Sequence, residues 1–106
     1  MSNPWTGEVS LVINGDPRVM KLTLGALAEL EQALSVGSLV DLAQRFESGG
    51  FSAVDVLALI GAGLRGGGTP MASDDLAQAD IAGGPMAAAR AAAELLARAF
   101  MAPELP

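Results

Sequence analysis

Asn14-Gly15 lies between two short apolar runs, and this dipeptide limits how the start of the chain can fold. Both residues tolerate the positive φ that a two-residue type I′ turn demands. On one side Val9, Leu11 and Ile13 alternate with Glu8, Ser10 and Val12, the period of a half-buried strand. On the other side Asp16-Pro17 leads into Arg18 to Leu22, with Val19 placed to pair across the turn. Pro17 has no amide to donate, so it belongs at a strand's start or on an edge. These residues predict a two-stranded hairpin over about 8–22. A lone hairpin is marginal in water and must lean on other apolar elements.

From Thr23 onward the chain reads as helices separated by glycine. Thr23 is placed to cap a helix over about 24–35, in which Leu24, Leu27, Leu30 and Leu34 form one apolar stripe. Gly37 ends it. Ser38 then opens a helix over about 39–48, with Asp41 completing a capping box and Leu39, Leu42, Ala43 and Phe46 as its apolar face. Gly49-Gly50 stops that helix. Ser52 and Asp55 repeat the cap pattern before a helix over about 53–64. Val54, Val56, Leu57, Leu59, Ile60 and Leu64 surround most of it, so it is either central or covered by a partner. After the connector Gly66-Gly67-Gly68-Thr69-Pro70, Ser73 is expected to cap a short turn over about 74–79. Pro85 then starts an alanine-rich helix over about 86–101, with Met86, Ala89, Ala93, Leu96 and Phe100 along one side and Glu94 and Arg98 paired opposite. The expected fold is α+β, mainly α: an N-terminal two-stranded antiparallel β-hairpin packed on four to five helices, in a single domain over 1–106.

Composition narrows the function. The 106 residues contain no cysteine and no histidine, so disulfides, thiolate metal sites, the commonest metal ligand and the commonest general base are absent. Lys plus Arg number 6 against 12 Asp plus Glu, a formal net charge of −6. A nucleic-acid backbone requires clustered cations, so no nucleic-acid partner is expected. Residues Met1 to Thr6 carry neither a basic residue nor an apolar run, so no signal peptide is read there. The stretch Val54 to Leu64 carries Asp55 and two glycines and is too short to span a bilayer. The expectation is therefore a cytoplasmic protein without membrane contact.

Three motifs invite chemistry and each has a plainer explanation. Gly61-Ala62-Gly63-Leu64-Arg65-Gly66 matches G-x-G-x-x-G, but the dinucleotide fingerprint needs a strand before it and a helix after it. Here it closes a helix, so helix termination is favoured over cofactor binding. Asp74, Asp75 and Asp80 lack the spacing of a calcium loop and suit helix capping and solubility better. The serines have no histidine to activate them, and no motif brings one to Lys21, the only lysine. No catalytic residue, cofactor or metal is expected. Five methionines and Trp5 remain: Met20, Met71, Met86 and Met101 suit either core filling or an adaptable partner groove, and Trp5 either staples the hairpin or anchors a partner.

One resemblance runs through nearly the whole chain. Asn3-Pro4-Trp5-Thr6-Gly7-Glu8-Val9 precedes Ile13-Asn14-Gly15-Asp16-Pro17-Arg18. Next come Leu22-Thr23-Leu24-Gly25-Ala26-Leu27-Ala28-Glu29-Leu30-Glu31, the most specific part, then Leu64-Arg65-Gly66-Gly67-Gly68 and Ile81-Ala82-Gly83-Gly84-Pro85. Together they resemble the small tail-module proteins of phage-like gene transfer agents, grouped with phage tail assembly chaperones. The resemblance implies a non-enzymatic chaperone of the producing bacterial cell. It would mask the helical tape measure protein, help recruit the tail tube protein, and be absent from mature particles. The alternative is a structural tail protein, tube-like or terminator-like, retained in the particle. A small nucleotide-binding domain is the reading of another class.

Acidity would keep a coated complex dispersed, and amphipathic helices donate to or receive partner helices. Exposed apolar faces would also favour a homo-oligomer. The expected contact residues are Trp5, Met20, Leu24, Leu27, Leu30, Leu57, Ile60, Leu64, Met86, Leu96 and Phe100, each of which core packing also explains. Leu57→Asp separates the two roles: unfolding marks core, whereas a folded variant that loses its partner marks interface.

Overall fold

The computed structural model describes residues 7–34 and 39–100, without the side chains of Leu39 and Phe100. The order is β1 (Val9–Ile13), β2 (Asp16–Met20), α1 (Leu24–Leu34), α2 (Leu39–Ser48), α3 (Ala53–Gly66), α4 (Ser73–Ala77) and α5 (Gly84–Phe100). The fold is α+β and mainly α, with the hairpin at its N-terminal end.

The hairpin forms in the expected register, from Val9 opposite Met20 to Ile13 opposite Asp16. Asn14 and Gly15 take φ of 53° and 82°, as a type I′ turn requires. Val9, Leu11 and Ile13 face the core, while Ser10 and Val12 face out. The free edge of β1 is not left bare. Ile13 bridges Ile81 in antiparallel sense, the Ala82 amide donates to the Val12 carbonyl at 3.1 Å, and the Asn14 amide donates to the Asp80 carbonyl at 2.7 Å. The Asn14 side chain in turn accepts from the Asp80 amide at 2.8 Å. Asn14 thus makes the turn and also docks a segment far along the chain, which a local reading of Asn-Gly does not reveal.

α3 is the central element, packed against α1, α4, α5 and β2. Its start is a reciprocal capping box: the Ser52 hydroxyl accepts from the Asp55 amide at 3.2 Å, and the Asp55 carboxylate accepts from the Ser52 amide at 2.9 Å. Leu59, Ile60, Ala62 and Leu64 are buried with Met20, Leu30, Ala92 and Leu95. The helix is not apolar-buried all round: Val54 and Leu57, on its first two turns, are exposed. Its last turn presses on the hairpin. The Lys21 amide donates to the Gly63 carbonyl at 2.9 Å. A Cβ at Gly66 would stand 2.0 Å from the Lys21 carbonyl oxygen, and one at Gly67 2.1 Å from that of Val19. The glycine run is there because two backbones meet with no room for a side chain.

Three expectations need correction. In α1 the Thr23 hydroxyl does accept from the Ala26 amide at 3.1 Å, but the inward face is Ala26, Leu27, Leu30 and Leu34. Leu24, on the first turn, is 85% exposed. Ser73 does not cap α4. The capping position falls on Ala72, no side chain caps it, and the helix stops at Ala77. In α5 the core-facing set is Ala88, Ala91, Ala92 and Leu95, with Leu96 beside them. Met86 is 72% exposed, so the helix is rotated from the predicted stripe. Alanine on every side of α5 leaves periodicity nothing to choose between. The expected Ser38 cap lies outside the described residues.

Candidate docking face

The described residues offer little for chemistry on small molecules. Asp74 and Asp75 sit in the first turn of α4, while Asp80 is taken up by the hairpin tip through its backbone. Among the described residues no group of three or more acidic side chains is placed to hold a metal ion. In the G-x-G-x-x-G run Gly63 faces Leu95 and Met20 and Gly66 faces the Lys21 backbone, while Gly61 has only Arg65 and Leu76 side-chain atoms nearby. No described helix is long and apolar enough to cross a membrane.

One buried charge stands out, and its partners account for it. Asp55 is 2% exposed, and its Oδ1 accepts from Arg45 Nη1 at 2.7 Å. Burial pushes its pKa up. The Ser52 backbone hydrogen bond and the Arg45 guanidinium pull harder, and the group ends below the ordinary carboxylate value. This is an ion pair holding α2 to α3, not a poised acid.

The larger surface features are two apolar grooves along one side of α5. The first, of about 620 Å³, lies between α2 and α5; Val40, Ala43 and Phe46 form one wall, and Ala93, Leu96 and Ala97 the other. The second, of about 540 Å³, lies between the start of α3, α4 and the start of α5. Its lining includes Val56, Leu57, Leu76, Ile81, Met86 and Ala89, and it carries one charged side chain, Asp80. Phe46 of the first groove stacks on Phe51 of the second, with ring centroids 4.6 Å apart and planes 4° from parallel. The stacked pair thus joins the linings of the two grooves.

The sequence-derived stripe on α5 therefore has a place. Met86 and Ala89 line the second groove, and Ala93 and Leu96 the first. In the fold the stripe is divided: Met86 is exposed, Ala89 and Ala93 are partly buried, and Leu96 belongs to the core while touching the first groove.

The other expected contact residues divide by burial. Met20, Leu30, Ile60 and Leu64 are buried in the core, where the fold already uses their apolar surface. Leu27 is half-buried against the core. Leu24, Leu57 and Met86 are exposed. Leu96 is nearly buried yet reaches the first groove's floor. Trp5 and the Phe100 side chain lie outside the described residues. Val40 and Val54 are exposed apolar residues outside the expected contact set, although Val54 belongs to the apolar surround read for the third helix. For Val40 a signal existed: it stands with Ala43 and Glu47 at helical spacing, a second face of α2 beside the Leu42 face.

An apolar trough on an acidic body, with no ionisable group set up for catalysis among the described residues, is suited to holding another polypeptide. A family model described as "Phage tail tube protein, GTA-gp10" matches residues 6–102. No curated protein and no solved structure gives a significant match.

Proposed function

The chain belongs to this gene transfer agent and phage tail family, and we propose that it serves as a structural tail protein retained in the assembled particle. The observation that carries this reading is a tail tube description matched over residues 6–102. The resemblance read from the sequence reaches the same tail module but puts the tape measure chaperone first. The family's description favours the alternative, a tube-like component.

The physical properties of the chain suit that role. Its partners are other tail proteins, held through apolar contact and not through a reaction. The exposed side chains Leu24, Val40, Val54 and Met86 and the two grooves beside α5 are the surface on which such contacts would form. Scattered exposed apolar residues are ordinary; two adjoining grooves with almost no charge are less so. On this reading the protein catalyses no reaction and is made in the cytoplasm of the producing bacterium.

The second reading is the chaperone. It uses the same grooves, but reversibly, to mask the helical tape measure protein. The two differ in where the protein ends up. Sedimentation of lysate from cells expressing a tagged chain separates them: a tail component moves with assembled tails. A chaperone stays in the light fractions, bound to tape measure protein, and that result would overturn the proposal.

A further inference from the structure

Asn14 does more than turn the hairpin. Its amide donates to the Asp80 carbonyl at 2.7 Å, and its Oδ1 accepts from the Asp80 amide at 2.8 Å. Ile81 bridges Ile13 beside it, and the Ala82 amide donates to the Val12 carbonyl at 3.1 Å. The segment Asp80 to Ala82 is thus a strap across the free edge of β1. Asn14 and Gly15 are nevertheless open to water, and a Cβ at Gly15 would meet nothing within 4 Å.

Asparagine followed by glycine is the pair most prone to lose its side-chain amide, because no side chain shields the glycine nitrogen. The Gly15 nitrogen, giving up its proton, attacks Asn14 Cγ. A C–N bond closes a five-membered imide, the Cγ–Nδ2 bond breaks, and ammonia leaves with that proton. Water then opens the imide at either carbonyl. One opening leaves aspartate. The other leaves isoaspartate, whose main chain runs through the former side chain and is longer by a methylene.

The closed tip forbids the first step. The φ values of 53° at Asn14 and 82° at Gly15 are those of a type I′ turn, in which the first central residue has ψ of about 30°. At that angle the Gly15 nitrogen stands nearly opposite Cβ across the Cα–C bond, whereas ring closure needs the two on the same side. Asn14 must therefore rotate about ψ, and that rotation breaks the turn that holds it against Asp80.

We propose that Asn14-Gly15 is a spontaneous deamidation site that the fold keeps closed. The reaction proceeds only from chains whose hairpin tip has released the strap. Isoaspartate makes the release permanent, because a longer loop does not restore the register that sets Ile13 opposite Asp16. The site is a one-way mark on chains that have opened at the tip, and in those chains the edge of β1 at Val12 and Ile13 stays uncovered.

Peptide mass spectrometry of the full chain, incubated at mildly alkaline pH, tests this. The mass gain at Asn14 and the backbone fragments diagnostic of isoaspartate are followed over time. Folded wild type should gain both at least roughly tenfold more slowly than the same chain in guanidinium chloride, a factor that the two hydrogen bonds between Asn14 and Asp80 supply. Ile81→Ala weakens the strap without touching the turn. It should stay folded by circular dichroism and modify Asn14 several-fold faster than wild type. Equal rates in folded and denatured wild type would overturn the closed site, as would an Asn14 that stays unmodified in guanidinium chloride. A folded Ile81→Ala that is modified no faster than wild type would overturn the strap's part in it. The wild-type comparison decides the matter even if Ile81→Ala folds poorly.

Discussion

At the scale of single residues, the glycines at the end of α3 separate a packing role from a binding role. A nucleotide loop would need all three glycines of Gly61-x-Gly63-x-x-Gly66. Packing against β2 needs them unequally. A Cβ at Gly61 meets only Arg65 and Leu76 side-chain atoms at 3.8 and 3.9 Å, whereas one at Gly66 meets a backbone oxygen at 2.0 Å. Gly61→Ala should therefore be neutral or stabilising by about 0.5–1 kcal/mol, from helix propensity. Gly66→Ala should cost about 3 kcal/mol, the upper range for overpacking, because backbone must move. Gly63→Ala should fall between, since its closest neighbour at 2.9 Å is the end of the Leu95 side chain. Denaturant unfolding of the three variants reads the order directly, and equal effects would contradict it.

Asp55 carries a second residue-scale consequence. Its pKa is lowered in the folded chain, so the unfolded chain binds more protons between the two pKa values, and stability rises with pH there. The contribution is fully present above the ordinary carboxylate pKa of about 4 and is lost as pH falls through the folded value. Unfolding midpoints measured below about pH 4 should drop in the wild type more steeply than in Asp55→Asn. Parallel curves would mean that Asp55 contributes nothing specific.

At the scale of elements, legibility follows local chemistry. The hairpin is legible because Asn-Gly and a period of two leave few alternatives, and α3's start because Ser52 and Asp55 cap each other within one turn. The stop of α2 at Gly49-Gly50 is legible for the same reason. Facing is harder. α5 is mostly alanine, so its buried side is decided by where Leu95 fits against Gly63, a contact between distant elements. The docking of Asp80 to Ala82 on β1 likewise depends on tertiary approach. The candidate grooves are half visible: the α5 stripe shows in the spacing, but its opening to solvent depends on where α2 sits.

α3 tests this directly. Leu57, 37% exposed, lines the second groove, while Leu59 is fully buried. Leu57→Asp should stay folded, with a stability change within about 1 kcal/mol, and Leu59→Ala should lose about 2–5 kcal/mol. Circular dichroism melts of both variants decide it. An unfolded Leu57→Asp would return the first turns of α3 to the core.

For the whole molecule, the central α3, the hairpin leaning on it and the two grooves beside α5 make a small acidic body. Its exposed apolar side chains include Leu24 on α1, Val40 on α2, Val54 on α3 and Met86 on α5. The chain belongs to a gene transfer agent and phage tail family, and tail-related partners are what that membership suggests. The most direct test is absolute quantification of this chain by mass spectrometry in purified particles, using isotope-labelled peptides as standards. A fixed copy number per particle, constant between preparations and resistant to salt washing, is the expected result. Particles that package and deliver normally while containing none of the chain would contradict a structural role.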